Sequence, residues 1–213
     1  MKLKLYPYFE GVMLALVLLT ILSFCIAFTI NFTPLYAWNV EKYQLAQIAN
    51  LSTKELLANY NQLLAYLNFP WQTKLVLPDF PMSSSGLKHF YEVKRLFLLD
   101  YIVFILGLVP SILYLKKLWQ KRQLWKFLQP IQLLLASLVI LCVLMLFGFD
   151  QFFVYFHQIL FRNSDWLFDP ATDPIINVLT EQFFMQCFLL FFLLLLISLA
   201  ILYTIGRKQL KEK

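Results

Sequence analysis

Glycine is scarce in this 213-residue chain, at five residues, and only 14% of its residues are charged. A soluble domain of this size carries about a quarter charged residues, so an ordinary cytosolic enzyme is excluded. Gly11, Gly86, Gly107, Gly148 and Gly206 lie far apart. No glycine-rich turn exists to cradle a phosphate, and nucleotide-binding fingerprints are absent. Cysteine is nearly missing too: Cys25, Cys142 and Cys187 each sit alone in an apolar stretch. Neither a CxxC pair nor a disulfide framework can be read from them, and they are best taken as small packing residues. Chemistry here has to run without ATP, nicotinamide or a thiolate metal cage; no cofactor is expected.

What is abundant is apolar surface, at 61% of residues. It falls in four blocks, at residues 11–31, 96–115, 128–149 and 183–205. Each has the roughly 20 residues with which an α-helix crosses a hydrocarbon core. The expected fold is an all-α integral membrane protein, a four-transmembrane-helix bundle forming one membrane domain over residues 1–213. Pro110 lies inside the second span, where neighbouring groups must compensate for the lost backbone bond. Lys2 and Lys4 give the first block a signal-like start. Its apolar run is too long for a signal peptide and no A-x-A-like cleavage site follows, so it reads as an uncleaved span.

Basic residues orient the spans. The connection 116–126 holds Lys116, Lys117, Lys121, Arg122 and Lys126 and no acid. With the tail and the amino terminus it places 11 of the 18 basic residues on one side, opposed only by Glu10 and Glu212. Both termini and the middle connection are therefore expected in the cytoplasm. The net charge of +6 reads as a topology signal, and no nucleic-acid partner is expected.

Two outer segments remain, at residues 32–95 and 150–182. In the first, Leu45, Ile48, Leu56, Leu63, Leu64 and Leu67 recur at mostly helical spacings, with Ser52 or Thr53 as an N-cap. These residues form either interfacial helices on the membrane surface or a cap that covers the bundle. Ser83-Ser84-Ser85-Gly86 reads as a turn. Beyond it, His89 and Glu92 stand three apart and share one helix face on the approach to the second span. The second segment opens on an aromatic run, residues 152–161 containing His157, that extends the third span or lies along the interface. Asp169-Pro170 and Asp173-Pro174 are turn formers.

Chemistry-bearing candidates are few. Histidine suits proton transfer near neutral pH, and aromatic surroundings would favour neutral His157. The alternative is an interfacial ring with a polar tip. Two histidines with Glu92 or an aspartate lack HExxH or any compact metal spacing, and Ser83–Ser85 lack a GxSxG elbow. Asp165, Asp169, Asp173 and Glu181 read first as turn and cap residues. Asp100, a carboxylate inside the second span, is expected to be paired, with Arg95 the nearest candidate, or to mark a polar pocket.

Several of these residues fall into a known pattern. Phe156-His157-Gln158-Ile159-Leu160-Phe161, then Trp166, Asp169-Pro170, Asp173 and Ile175-Ile176, then Glu181-Gln182-Phe183-Phe184, resemble the signature of the bacterial lipoprotein intramolecular transacylase family. That signature runs FHxxxF, a tryptophan–proline–aspartate block and PExFF; Thr180 replaces its proline here. His89-Phe90-Tyr91-Glu92-Val93-Lys94-Arg95-Leu96-Phe97 is similar to the family's H-x-x-D-V-K-x-L-F, with Glu92 in the aspartate position. An acid expected upstream of the first histidine is absent.

The resemblance implies an acyltransferase of the Gram-positive cell membrane with its active site at the outer face. Its substrate would be a diacylglyceryl lipoprotein, and an acyl chain would move to the α-amino group of the lipoprotein's terminal cysteine. His157 would be the general base. His89 and Glu92 would complete the catalytic set, and Lys94, Trp166, Asp169 and Asp173 would contact substrate. Neither a metal nor a cofactor is implied; membrane lipids are the surroundings, and a monomer is expected. The competing class is a non-enzymatic membrane lipid-binding or scaffold protein.

Overall fold

The computed structural model describes residues 6–212. Lys2, Lys4 and Lys213, used above for orientation, lie outside them. Helices make up most of the described chain: α1 (Tyr6–Asn31), α2 (Thr33–Lys42), α3 (Leu45–Ile48), α4 (Thr53–Asn68), α5 (Ser84–Gln120), α6 (Leu128–Phe147), α7 (Phe149–Leu160) and α8 (Glu181–Lys211). Short 3₁₀ turns occupy Leu124–Phe127 and Pro174–Asn177, and no strand occurs among the described residues. Four stretches, within α1, within α5, from Leu124 to Phe147 and within α8, are long and apolar enough to cross a membrane. They coincide with the four apolar blocks.

Two differences from the sequence reading have local causes. The serines before Gly86 belong to a helix start: the Gly86 N–H donates to the Ser83 hydroxyl at 2.9 Å, so Ser83 caps α5 and Ser84 already lies inside it. Hydroxyl capping satisfies an amide that the first helical turn leaves orphaned. Further on, of the two readings of the aromatic run, extension of the third span fails: the run forms a helix of its own. Gly148, a poor helix former, leaves helical geometry, and α7 restarts with the Phe152 N–H donating to the Gly148 carbonyl. By contrast α5 runs for 37 residues straight through Pro110. At 1.5 Å per residue it spans about 55 Å, well beyond the ~30 Å hydrocarbon core, so its ends project past the apolar layer.

Contacts divide the chain into two compact units. The first comprises residues 1–28, 100–144 and 189–213. Within it the Thr20 and Ser111 hydroxyls meet at 2.9 Å, Thr20 also donates to the Leu16 carbonyl at 2.8 Å, and Gly107 packs directly on Thr20. The Asp100 carboxyl is hydrogen-bonded to Ser23. Glu10 and Glu212, the two acids among the basic segments, pair with Lys126 at 2.7 Å and Arg122 at 3.0 Å.

The second unit comprises residues 29–99 and 145–188. Ser52 caps α4 through a reciprocal capping box with Glu55. Leu45, Leu56, Leu63 and Leu67 are buried in a core with Tyr36, Phe90, Ile175 and Phe183. The Tyr36 and Tyr60 rings stack at 3.8 Å, and the Phe183 ring meets Tyr36 edge-on at 5.2 Å. The short helices α2–α4 therefore bury one face in a shared core, and this core supports the elements that carry both histidines.

Candidate functional site

The first turn of α5 is fastened by Asp173, which is buried in the segment before the second 3₁₀ turn. Its Oδ1 accepts from the Ser83 N–H at 2.8 Å, and its Oδ2 accepts from the Thr172 hydroxyl at 2.9 Å. Only glycine fits beside this carboxylate: a Cβ on Gly86 would stand 2.3 Å from Asp173 Oδ1. One turn later α5 buries His89, which is 7% exposed. Its ring meets Phe161 at 4.8 Å and Phe168 at 5.5 Å, both edge-on. Its Nδ1 is buried without a hydrogen-bond partner among the described residues.

The other histidine comes from α7. His157 is 9% exposed and lies among Phe153, Phe156, Phe161 and Trp166. Its Nδ1 is 2.8 Å from the Phe153 carbonyl one turn back. A carbonyl only accepts, so Nδ1 carries the proton and Nε2 keeps its lone pair. Burial pushes the His157 imidazole below the ordinary histidine value, against the smaller opposing pull of the Phe153 carbonyl. The two imidazole centres are 5.8 Å apart. Two buried histidines, one with a basic ring nitrogen and one with an unpartnered nitrogen, are equipped to pass protons at a single substrate.

Trp166 stacks on His157 with ring centres 4.9 Å apart, and its indole N–H donates to the Asn163 carbonyl at 2.9 Å. The Asn163 side-chain amide donates to both Glu92 carboxylate oxygens, at 2.9 and 3.0 Å. Beside this group, Asp165 accepts from the Ser85 hydroxyl at 3.1 Å and pairs with Lys88. The Lys88 ammonium holds the Asp165 carboxyl below the usual carboxylate range.

The expected site residues are thus distributed unevenly. His89, His157 and Trp166 form one cluster, and Glu92 joins it through Asn163. Asp173 secures the start of α5. Asp169 is exposed, and its Oδ1 closes a turn by accepting from the Ala171 N–H at 2.9 Å. Lys94 is engaged elsewhere: its buried ammonium donates to the Phe69 carbonyl at 2.9 Å and to that of Gln72, and lies 4.4 Å from the Tyr66 ring centre. Among the described residues, no three His, Cys, Asp or Glu gather closely enough to hold a metal ion.

A family model of the lipoprotein intramolecular transacylase Lit matches residues 11–184, most of the chain and every residue of this cluster. The chain belongs to the lipoprotein intramolecular transacylase family. Solved structures agree. The in meso structure of the membrane-integral lipoprotein intramolecular transacylase Lit from Bacillus cereus is 26% identical, with a TM-score of 0.86, over 97% of this chain and 98% of that one. Two variants of the same Bacillus cereus protein, with a histidine replaced by arginine or by alanine, are also 26% identical; they match at TM-scores of 0.77 and 0.78, over 97% of this chain and 96% and 98% of theirs. The comparison with curated proteins returns no match. Membership makes this chain a multi-pass membrane protein of a transacylase family whose substrates are lipoproteins.

Asn163 is the member of the cluster that sequence reasoning missed. It sits in a run of turn-forming residues, where asparagine is unremarkable. Only its position six residues beyond His157 and three before Trp166 hinted at a place between them.

Proposed function

We propose that this protein moves an acyl chain from the diacylglyceryl group of a lipoprotein's N-terminal cysteine to that cysteine's α-amino group, giving an N-acyl, lyso-form lipoprotein. The observation that carries the reading is the His157 tautomer, with Nδ1–H tied to Phe153 and Nε2 left basic beside His89. Aminolysis of an ester needs a base for the amine proton, a donor for the oxyanion and an acid for the departing alkoxide. His157 Nε2 takes the ammonium-derived proton as the amine attacks the ester carbonyl. Collapse of the tetrahedral intermediate breaks the bond between the acyl carbon and the glyceryl oxygen, and the protonated imidazole gives its proton to the departing glyceryl alkoxide. His89 lies close enough to share that proton traffic or to donate to the oxyanion.

Ester to amide is downhill, so no nucleotide or other cofactor enters. Both reacting groups belong to one molecule, and holding them together supplies much of the rate. The phenylalanine-rich surround excludes water that would otherwise hydrolyse the ester. Trp166 contacts the substrate headgroup from its place on His157, while Lys94, Asp169 and Asp173 shape the site through the loops they hold. The basic connection 116–126 and both termini lie in the cytoplasm, and the histidines lie at the outer face of a Gram-positive membrane. The enzyme acts as a monomer, surrounded by lipid and without nucleic acid.

Expression in cells that make diacyl lipoproteins tests the reaction. The N-terminal peptide of a lipoprotein should keep its mass, lose its free amine and carry an acyl group on its N-terminal fragment. Gain or loss of one acyl mass would assign an intermolecular acyltransferase or a hydrolase instead. Orientation is tested by labelling Ser84→Cys and Gln120→Cys in intact cells, where only the first should react.

A further inference from the structure

We infer that Asn163 is a positioning residue that holds Trp166 against His157, and that Glu92 acts through Asn163 rather than as a proton carrier. The inference rests on the transacylase reading and adds the part that sets the geometry of its base. The side chain and the backbone carbonyl of Asn163 are all occupied: the amide donates to both Glu92 oxygens, Oδ1 accepts from the Asp165 N–H at 3.1 Å, and the carbonyl accepts from the Trp166 indole. Glu92 correspondingly directs both carboxylate oxygens at one amide, a charge-assisted pair.

The consequence is mechanical. His157 is fixed along its own helix by the Phe153 carbonyl, which leaves rotation about that bond as the freedom its packed neighbours Phe153, Phe156, Phe161 and Trp166 restrict. Trp166 closes that freedom by lying flat on the imidazole, 28° from parallel. Trp166 is held in turn by Asn163, and Asn163 by Glu92, one turn beyond His89 on α5. Beside the pairing of Asp165 with Ser85 and Lys88, this chain of contacts ties the loop after α7 to the helix that carries His89, and it is the one that reaches the His157 ring.

An exchange of partners tests this. Asn163→Asp puts two carboxylates face to face and breaks the tie. Adding Glu92→Gln to that variant restores an amide–carboxylate pair with donor and acceptor reversed, and the Asp165 N–H keeps its acceptor. The full-length chain, labelled with 5-fluorotryptophan and held in lipid nanodiscs, supplies a readout beside activity. The ¹⁹F resonance of Trp166, assigned with Trp166→Phe, should titrate with the His157 imidazole, and the Trp71 resonance should not.

The expected result is loss of the Trp166 titration and about a 10- to 100-fold lower kcat in Asn163→Asp. Both should recover in the double variant, and the Trp71 resonance should be unmoved throughout. Recovery of the resonance without recovery of turnover would show that the Glu92 charge itself is needed and overturn the proposal. An unchanged resonance and rate in Asn163→Asp would overturn it equally. If Asn163→Asp fails to accumulate, Glu92→Gln alone decides: a lost rate with an unmoved Trp166 resonance contradicts the positioning role. If the wild-type protein transfers no acyl group yet the resonance follows the pairing, the positioning stands and the reaction assignment falls.

Discussion

The unit formed by residues 1–28, 100–144 and 189–213 and the unit formed by residues 29–99 and 145–188 are both rich in apolar side chains and use their polar groups in opposite ways. In the first, hydroxyls close on their own helix and charges close in pairs. Thr20, Ser137 and Ser198 each donate to the carbonyl four residues earlier, and Glu10 pairs with Lys126. Asp100 keeps one buried carboxylate oxygen without a hydrogen-bond partner among the described residues. In the second unit the polar groups form a longer network, with open ends at Asn39 Oδ1 and at the histidines: His89 Nδ1 is buried without a hydrogen-bond partner among the described residues, and His157 Nε2 keeps its lone pair. Closing polar groups locally avoids the cost of leaving them unpaired in an apolar medium. On the proposed reading, the unpartnered His89 Nδ1 and the free lone pair of His157 Nε2 are where a substrate completes the network.

The largest expected effect falls on the open side of this comparison. His157→Asn should lower turnover by roughly 10²–10⁴-fold, the contribution of a general base, while the protein still accumulates in the membrane. Retained turnover by the purified variant would move the base elsewhere. Next comes a matched pair of glycines. A Cβ on Gly86 would stand 2.3 Å from Asp173 Oδ1, and one on Gly107 would stand 2.3 Å from Thr20 Oγ1. Both alanine variants should lose about 1–3 kcal/mol of stability from overpacking, read as a lower unfolding midpoint. Only Gly86→Ala should also lower turnover per folded molecule, because Asp173 fixes the start of the helix that carries His89. An equal loss of turnover in Gly107→Ala would erase the distinction between the units.

The pH profile sharpens it further. On the proposed mechanism His157 must be neutral to act, and burial pushes its imidazole below the ordinary histidine value of about 6.5. Turnover should therefore fall only as pH drops below that value, with the acid limb of kcat displaced downward. An acid limb at or above it would mean that the titrating base is another group. The smallest effect belongs to the closed side. Thr20→Val removes the hydroxyl shared with Ser111 and Leu16 and should cost about 0.6 kcal/mol, typical of a hydrogen bond within a membrane, with turnover unchanged.

Much of this arrangement was legible in the sequence because the signals were long or chemically rare. Four apolar blocks are hard to mistake, Ser52 followed three residues later by Glu55 is a capping box, and two histidines in 213 residues draw attention to themselves. What escaped was decided by tertiary contacts. Ser83–Ser85 read as a turn because the carboxylate that meets Ser83, from Asp173, lies 90 residues away. Lys94 shared the histidine motif, yet a position five residues beyond His89 turns a helical side chain well away from it, and its ammonium holds the chain at Phe69 and Gln72. Asn163 could not be told from an ordinary turn asparagine until Glu92 stood opposite it.

Intramolecular transfer at the histidine pair is tested most directly by a crossover experiment with purified protein. Two diacyl lipopeptides, one with heavy peptide and light acyl chains and one with the reverse, are mixed and converted together, with His157→Asn as the blank. The account predicts two products only, each N-acylated by its own chain at unchanged mass, and none in the blank. Mixed products carrying a heavy chain on a light peptide, or product that appears equally with His157→Asn, would contradict it.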